Sequence, residues 1–193
     1  MSYTVDEYRR EVSDKKILVV GMGRSGMAAV KELHALGSTV TAQDINTVEK
    51  IDPKFITFLD REGIEYYFGS TPEHMGSFDI VVLSPGVNPN LTFLNDGRNH
   101  GVEVIGELEM AYRLSYGKFV VITGTNGKTT TTSLVGEIFE KSKRRTSVVG
   151  NIGKAVIGAA LEASKEDWLV TEVSSFQLET TKEFRPCLLY TSD

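Results

Sequence analysis

Short apolar runs rich in β-branched residues alternate along this chain with segments whose apolar residues recur at helical spacing. The apolar runs predict strands at residues 17–21, 39–42, 65–68, 79–83, 102–105, 119–123, 146–149 and 168–173. The helical spacing predicts helices at residues 24–36, 53–61, 91–100, 107–115, 129–141 and 155–164. Regular alternation of this kind is typical of parallel sheets with helices on both faces, so the predicted fold class is α/β.

Two glycine-rich turns, each between a predicted strand and a predicted helix, organise the chain into two parts. They lie at residues 21–26 and 124–127. Because such a turn opens a nucleotide-binding α/β unit, we predict a Rossmann-like domain over residues 1–117 and a P-loop α/β central domain over residues 118–193. The second domain is short for a doubly wound unit, so we expect it to be incomplete.

Composition narrows the class of protein. Of 193 residues, 40% are apolar and 24% are charged, which is ordinary for a folded globular chain. The formal net charge of -5 argues against a nucleic-acid-binding surface. The start of the chain lacks the apolar stretch of a secretory signal, and no window reaches the roughly 18 apolar residues of a membrane span. We therefore expect a cytoplasmic protein, and the single cysteine, Cys187, excludes an internal disulfide.

The first turn has glycines at positions 21, 23 and 26, directly after a predicted strand. Glycines there permit a tight turn and close backbone approach, and the free N–H groups at the helix start can bind a phosphate. Asp44 closes the next strand, where a ribose or base would lie. This pattern predicts a phosphate-bearing nucleotide without specifying NAD. The alternative is a turn whose glycines serve packing alone.

The second turn is followed by a lysine and threonines at the start of a predicted helix. Backbone N–H groups of such a loop can surround phosphate oxygens, while Lys128 neutralises the terminal phosphates and the Thr129 hydroxyl can bind Mg²⁺. Ile122 stands where the strict P-loop pattern has a glycine, so the motif is a variant. We predict ATP and Mg²⁺ as cofactors, with these binding residues: Gly124, Thr125, Asn126, Gly127, Lys128, Thr129 and Thr130.

Glu172 follows an apolar run and should lie at the carboxyl end of a parallel strand, the edge at which ligand sites gather. A carboxylate there can hold Mg²⁺ against ATP, although a merely solvated acid is the alternative.

Residues on two predicted helices are expected to have structural roles. The helix after the second turn should bury a face through Leu134, Val135 and Ile138. Glu107 and Glu109 are interpreted as first-turn acids that favour a helix dipole.

Five short motifs occur in an order that resembles the Mur ligases of peptidoglycan synthesis. They are GMGRSG at 21–26, SPG at 84–86, TGTNGKTT at 123–130, GNIG at 150–153 and EVSSFQLE at 172–179. The resemblance covers roughly residues 16–186. Phe176 and Gln177 after the serines favour the member that adds D-glutamate to UDP-N-acetylmuramoyl-L-alanine.

The resemblance implies an ATP-dependent ligase in which the substrate carboxylate attacks the γ-phosphate and the D-glutamate amine displaces the resulting acyl phosphate. Lys128 and Glu172 would be catalytic, with Thr129 and Glu172 binding Mg²⁺. Ile45 and Asn46 stand where the family often has a basic residue, so the base contacts are expected to differ. A monomer without membrane insertion is expected. The residues implied in substrate binding are Gly23, Arg24, Ser25, Asp44, Ser84, Gly86, Asn151, Ser174, Ser175 and Gln177.

The family also implies a second magnesium ligand, a carbamylated lysine and a carboxyl-terminal D-glutamate-binding domain, none of which we find in these 193 residues. Residues 187–193 do not match the strand expected there, so Cys187 and its neighbours are given no functional role. We therefore expect a truncated chain that binds nucleotides without completing ligation. Two other classes stay open: an NAD-dependent oxidoreductase, from the first turn, and a non-catalytic nucleotide-binding module.

Overall fold

The computed structural model describes residues 4–192, so Met1 to Tyr3 and Asp193 lie outside the described residues. The chain divides into two compact units, Met1–Glu107 and Leu108–Asp193. The predicted boundary after Gly117 comes later in the chain than this division. The difference arises because Glu109 and Tyr112, on the helix that begins at Glu107, contact residues of the second unit.

The first unit contains a five-stranded parallel sheet in the order β3-β2-β1-β4-β5. This is the strand order of the first five strands of a Rossmann fold, as predicted. Two short 3₁₀ segments, Val48–Lys50 and Met75–Ser77, lie in its connections. Its helices and strands are α1 (Val5–Ser13), β1 (Lys16–Val20), α2 (Arg24–Ala35), β2 (Thr39–Asp44), α3 (Pro53–Glu62), β3 (Glu65–Phe68), β4 (Ile80–Leu83), α4 (Thr92–Asn99) and β5 (Glu103–Gly106).

The core of this unit follows from its apolar pattern. In the central strands β1 and β4, the residues from Ile17 to Val20 and all of Ile80–Leu83 are buried, as expected for a sheet covered on both faces. The predicted strands and helices all occur, with small shifts at their ends. Helix α1 was not predicted because it is largely charged. A capping box between Thr4 and Glu7 starts it.

The second unit contains a four-stranded parallel sheet in the order β7-β8-β6-β9. Its core joins three buried strand residues, Val120, Ile122 and Val170, to side chains that include Val135 of the helix after the loop. The α/β fold class is thus confirmed in both units. The helices and strands, including α5, which begins at the unit boundary, are α5 (Glu107–Leu114), β6 (Lys118–Gly124), α6 (Lys128–Lys141), β7 (Thr146–Gly150), α7 (Val156–Glu162), β8 (Trp168–Glu172), α8 (Ser175–Leu178) and β9 (Leu188–Ser192).

Strand β9 corrects the expectation that residues 187–193 do not form the strand at this position. Leu188–Ser192 pairs in parallel with β6, with Leu188 opposite Val120. The Cys187 N–H donates to the carbonyl oxygen of Phe119 at 2.8 Å, directly before the paired residues of β9 and β6. The tyrosine and threonine residues of this segment favour strand formation, and Asp193 lies beyond the described part.

The buried face of α6 differs from the predicted one. Val135 packs on the sheet as expected, but Leu134 and Ile138 are 56% and 52% exposed. Thr132 and Gly136 are buried instead, and a Cβ at Gly136 would press on Val148 of β7. The helical period was correct, but the direction of the buried face depends on the neighbouring strand.

Trp168, at the start of β8, is surrounded by aromatic and cationic groups. Its ring lies edge-on to Phe139 with centroids 5.1 Å apart. Lys118 Nζ lies 5.3 Å and the Arg144 guanidinium carbon 5.2 Å from the Trp168 ring centroid. These cation–π contacts place Arg144, which follows α6, and Lys118 of β6 against the edge of the core.

Candidate nucleotide and substrate sites

The first glycine-rich turn joins β1 to α2, and its three glycines have different roles. Gly21 has φ of +90°, and a Cβ at Gly26 would overlap the Gly21 carbonyl oxygen. Both positions therefore require glycine for the turn itself. Gly23 has an ordinary φ of -71° and no atom within 4 Å of its would-be Cβ. Packing therefore does not require glycine at position 23, and close approach of a ligand to the helix start stays a prediction.

Alanine at Gly26 is expected to lower the free energy of unfolding of the first unit by about 1–3 kcal/mol, because the turn must shift to admit the methyl group. Alanine at Gly23 is the matched control and should cost less than about 1 kcal/mol, since its Cβ would face open space. Urea unfolding of both variants measures the difference. Equal losses would contradict the assigned roles.

Asp44 lies at the end of β2 and is buried beside this turn. Its carboxylate accepts hydrogen bonds from the backbone N–H of Met22 and, at 2.8 Å, from that of Asn46. The Asn46 side-chain amide donates to the same carboxylate at 2.9 Å. Asp44 therefore braces the turn, and Asn46 takes a structural role at a position where a basic residue was expected.

Ser84 and Gly86 follow β4, the neighbour of β1. The Ser84 hydroxyl donates to the Gly21 carbonyl oxygen at 2.6 Å, which ties the two strand ends together. Gly86 has φ of +89° and open space at its Cβ position. The chain leaves β1 towards β2 and leaves β4 towards β5, so the strand order reverses between β1 and β4, the point at which open α/β sheets usually bind ligands. Arg24 and Ser25, the first residues of α2, lie at the same edge.

The second turn places a lysine ammonium over a glycine-rich loop. Gly124 and Gly127 have φ of +132° and +74°. Lys128 Nζ donates to the carbonyl oxygens of Gly124 at 2.6 Å and Thr125 at 3.3 Å, so the side chain folds back across the loop. The remaining predicted cofactor residues are exposed: Thr125, Asn126, Thr129 and Thr130. This arrangement presents a cation and backbone donors to an anionic ligand.

Glu172 lies at the carboxyl end of β8, in register with Ile122 of β6 and Gly150 of β7. It is only 4% exposed, and its Oε2 atom has no hydrogen-bond partner among residues 4–192. A buried carboxylate oxygen without a partner is costly, and a cation beside the phosphate loop would satisfy it. The alternative of a solvated acid is wrong.

The donor set fits Mg²⁺. This ion is usually held by one or two protein oxygens together with phosphates and water rather than by an all-protein cage. Glu172 and the Thr129 hydroxyl are oxygen ligands of that kind. Within the described part of the chain, no cluster of three or more acidic, histidine or cysteine side chains could hold a metal ion alone.

A tight loop after β7 brings Asn151 to the end of β8. The Asn151 N–H donates to the Glu172 carbonyl oxygen at 3.0 Å. Gly150 has φ of +104°, and a Cβ there would overlap that same carbonyl group. The GNIG motif thus folds closely against Glu172 and leaves Asn151 exposed next to it.

Ser174, Ser175 and Gln177 form the turn after β8. Gln177 is buried, and its amide oxygen accepts from the Ser174 N–H at 2.8 Å and the Ser174 hydroxyl at 3.1 Å. Ser175 is exposed. Two of the three residues therefore stabilise the turn itself, and their substrate contacts stay a prediction.

Comparison with known proteins places each glycine-rich turn within a domain of one known family. The domain model "Mur ligase MurD-like, N-terminal domain" matches residues 15–106, and the model "Mur ligase middle domain" matches residues 122–189. The chain belongs to the Mur ligase family. The resemblance is confirmed, and the oxidoreductase alternative is not supported, because both glycine-rich turns lie within Mur ligase domains.

Curated relatives include the UDP-N-acetylmuramoylalanine–D-glutamate ligases of Alkaliphilus metalliredigens, 46% identical over 179 residues, and Clostridioides difficile, 46% identical over 177. In both cases the match covers 91% of this Mur ligase chain and 39% of the relative. The chain thus spans well under half of their length.

Solved Mur ligase structures share the fold. The UDP-N-acetylmuramate:L-alanyl-gamma-D-glutamyl-meso-diaminopimelate ligase from Neisseria meningitides aligns with a TM-score of 0.55 at 19% identity, over 91% of this chain and 59% of its own. The UDP-N-acetylmuramate-alanine ligase from Thermotoga maritima aligns with a TM-score of 0.53 at 21% identity, over 92% and 41%.

Sequence reasoning missed Glu109 in this Mur ligase. Its carboxylate is fully buried and accepts from the Arg113 Nε at 2.7 Å. It also accepts from three consecutive backbone N–H groups, those of Lys182, Glu183 and Phe184, at 2.9 to 3.0 Å. Glu109 lies in the first turn of α5, as predicted, but its burial and its contacts with residues 182–184 were not predicted. The pairing of an acid and an arginine four residues apart was the available signal.

Proposed function

We propose that this chain supplies the nucleotide-binding part of an ATP-dependent ligase that adds D-glutamate to UDP-N-acetylmuramoyl-L-alanine in peptidoglycan synthesis. The observation that carries the proposal is the carboxylate oxygen of Glu172 that has no hydrogen-bond partner among residues 4–192, in a sheet where the neighbouring strand β6 leads into the Lys128 loop. The identity to curated D-glutamate ligases supports the substrate class. The proposal includes a monomer that acts in the cytoplasm. Of the described helices, none is long and apolar enough to span a bilayer.

In this proposal the second unit binds ATP. Bound ATP and Mg²⁺ supply phosphoryl transfer to the substrate carboxylate. Lys128 exchanges its bonds to the Gly124 and Thr125 carbonyls for phosphate oxygens, and the loop N–H groups donate to the same phosphates. Glu172 and Thr129 hold Mg²⁺. These groups position the phosphate and neutralise the charge that develops on it.

The first unit binds the UDP moiety in this proposal. Gly23, Arg24 and Ser25 present the start of α2 to the diphosphate, and Gly86 allows close backbone approach. Asp44 and Ser84 act by fixing the turn. In the second unit, Asn151 is assigned to the UDP-sugar substrate, and Ser174, Ser175 and Gln177 are assigned to its muramoyl-alanine end. The D-glutamate site is assigned to the region of the relatives outside the match.

The test is calorimetric titration of the purified chain with Mg·ATP, UDP-N-acetylmuramoyl-L-alanine and NAD. We expect binding of the first two and none of NAD. Alanine at Lys128 should weaken Mg·ATP about tenfold, because charge-assisted bonds to phosphate are lost, and should leave the UDP-substrate affinity unchanged. Tight NAD binding without UDP-substrate binding would contradict the proposal.

A further inference from the structure

The connection between β8 and β9, residues 173–187, carries the predicted substrate-contacting turn and contains only one short helix, α8. At its start, the Val173 N–H donates to the Ile122 carbonyl oxygen at 3.0 Å. At its end, the Cys187 N–H donates to the Phe119 carbonyl oxygen at 2.8 Å. Between these sheet contacts, the connection needs other groups to satisfy and position its backbone.

Glu109 supplies such a group from α5. Three consecutive backbone N–H groups converging on one buried carboxylate form an anion-binding nest, and that carboxylate also pairs with Arg113, whose side chain is 10% exposed. Aromatic packing supports the same point. The Phe184 ring lies edge-on to the rings of Tyr112 and Phe119, at centroid distances of 5.2 Å and 5.6 Å.

The fixed segment is only a few residues from the Ser174–Gln177 turn, and local bonds stiffen the intervening chain. The Thr180 hydroxyl donates to the Gln177 carbonyl oxygen at 3.1 Å. The Thr181 hydroxyl donates to that of Leu178 at 2.7 Å. These two bonds tie the residues just before Lys182 back to Gln177 and Leu178.

A buried ion pair is a poor way to gain stability, because apolar side chains of similar volume usually do as well or better. A buried carboxylate that binds three main-chain donors instead specifies one backbone position. We propose that Glu109 is a positioning residue, which acts through the β8–β9 connection to hold the Ser174–Gln177 turn in its substrate-binding arrangement. This inference rests on the proposed function of that turn.

The experiment compares Glu109→Gln with Glu137→Gln. Glu137 is the matched control, because it also lies in a helix and pairs with a basic residue four positions on at 2.7 Å, but on the exposed surface. Glutamine at position 109 keeps one acceptor oxygen and removes the other, so the connection loses part of its anchor without a change of volume.

In hydrogen exchange, Glu109→Gln should speed exchange at residues 173–186 at least tenfold more than it speeds exchange in β6 and β7. In titrations, it should weaken UDP-N-acetylmuramoyl-L-alanine roughly tenfold and leave Mg·ATP and UDP alone unchanged. Glu137→Gln should match the unsubstituted chain in every measurement. A purely structural role would instead speed exchange throughout the second unit or weaken both ligands together.

The outcomes are distinguishable. If the unsubstituted chain fails to bind UDP-N-acetylmuramoyl-L-alanine, the proposed function fails and this inference with it. If it binds and Glu109→Gln binds equally well, the inference alone is overturned. Uniformly faster exchange across the second unit overturns it as well.

Discussion

Glutamine at Glu172 is expected to weaken Mg·ATP binding by about 100-fold while changing the free energy of unfolding by less than about 1 kcal/mol. The two effects separate because the Oε2 atom lacks a hydrogen-bond partner within the described residues. Removing the charge therefore loses no internal bond of that atom and relieves the desolvation of a buried carboxylate. The same change removes the charged oxygen ligand that we assign to Mg²⁺.

Calorimetric titration of Mg·ATP and of ATP in the presence of a chelator measures this effect. The loss should appear with Mg²⁺ and disappear with the chelator, since Lys128 and the loop are unchanged. Glu179→Gln serves as the control, because Glu179 is exposed and lies in the same motif. Unaltered Mg·ATP affinity in Glu172→Gln would exclude Glu172 as a metal ligand.

Alanine at Glu109, unlike glutamine at Glu172, is expected to change stability strongly. It should lower the free energy of unfolding by about 3–5 kcal/mol. Both carboxylate oxygens of Glu109 accept hydrogen bonds in the folded state. The substitution therefore leaves the Arg113 charge without this carboxylate and three backbone N–H groups without their acceptor. Urea unfolding followed by circular dichroism measures the loss.

Glu137→Ala provides the comparison for that experiment. Its carboxylate lies 2.7 Å from Lys141, the same distance as between Glu109 and Arg113, but both partners are exposed. Screening by water limits such a pair to about 0.3–0.5 kcal/mol. Similar losses in the two variants would show that burial does not set the strength of the Glu109 contacts.

The two glutamates also show what sequence can and cannot predict. The strands β1, β4, β6 and β8 were predictable because buried parallel strands are continuous apolar runs. The position of Glu172 at a strand end followed from the same pattern. The environment of Glu109 could not be predicted, because its backbone partners lie more than 70 residues away in the chain and no local sequence pattern indicates them.

The sequence also did not predict which face of helix α6 is buried. The spacing of α6 correctly predicted a helix, but Leu134 and Ile138 are exposed while Thr132 and Gly136 are buried. Strand β9 was missed because Leu188–Ser192 lacks the continuous run of buried β-branched residues that marks the inner strands, and three of its residues are about half exposed. In the glycine-rich turn, the pattern located all three glycines, but only the surrounding atoms distinguish Gly26, which packing requires, from Gly23, which it does not.

Trp168 gives the second unit an optical signal of its own. It is the single tryptophan of the chain, so the first unit has none. Its indole lies against Phe139 of α6, Lys118 and Arg144, and separation of α6 from the sheet would expose it to water. Its emission therefore follows the unfolding of the second unit alone, while far-ultraviolet ellipticity reports both units. The stability of each unit can thus be separated in the intact chain, without cutting it.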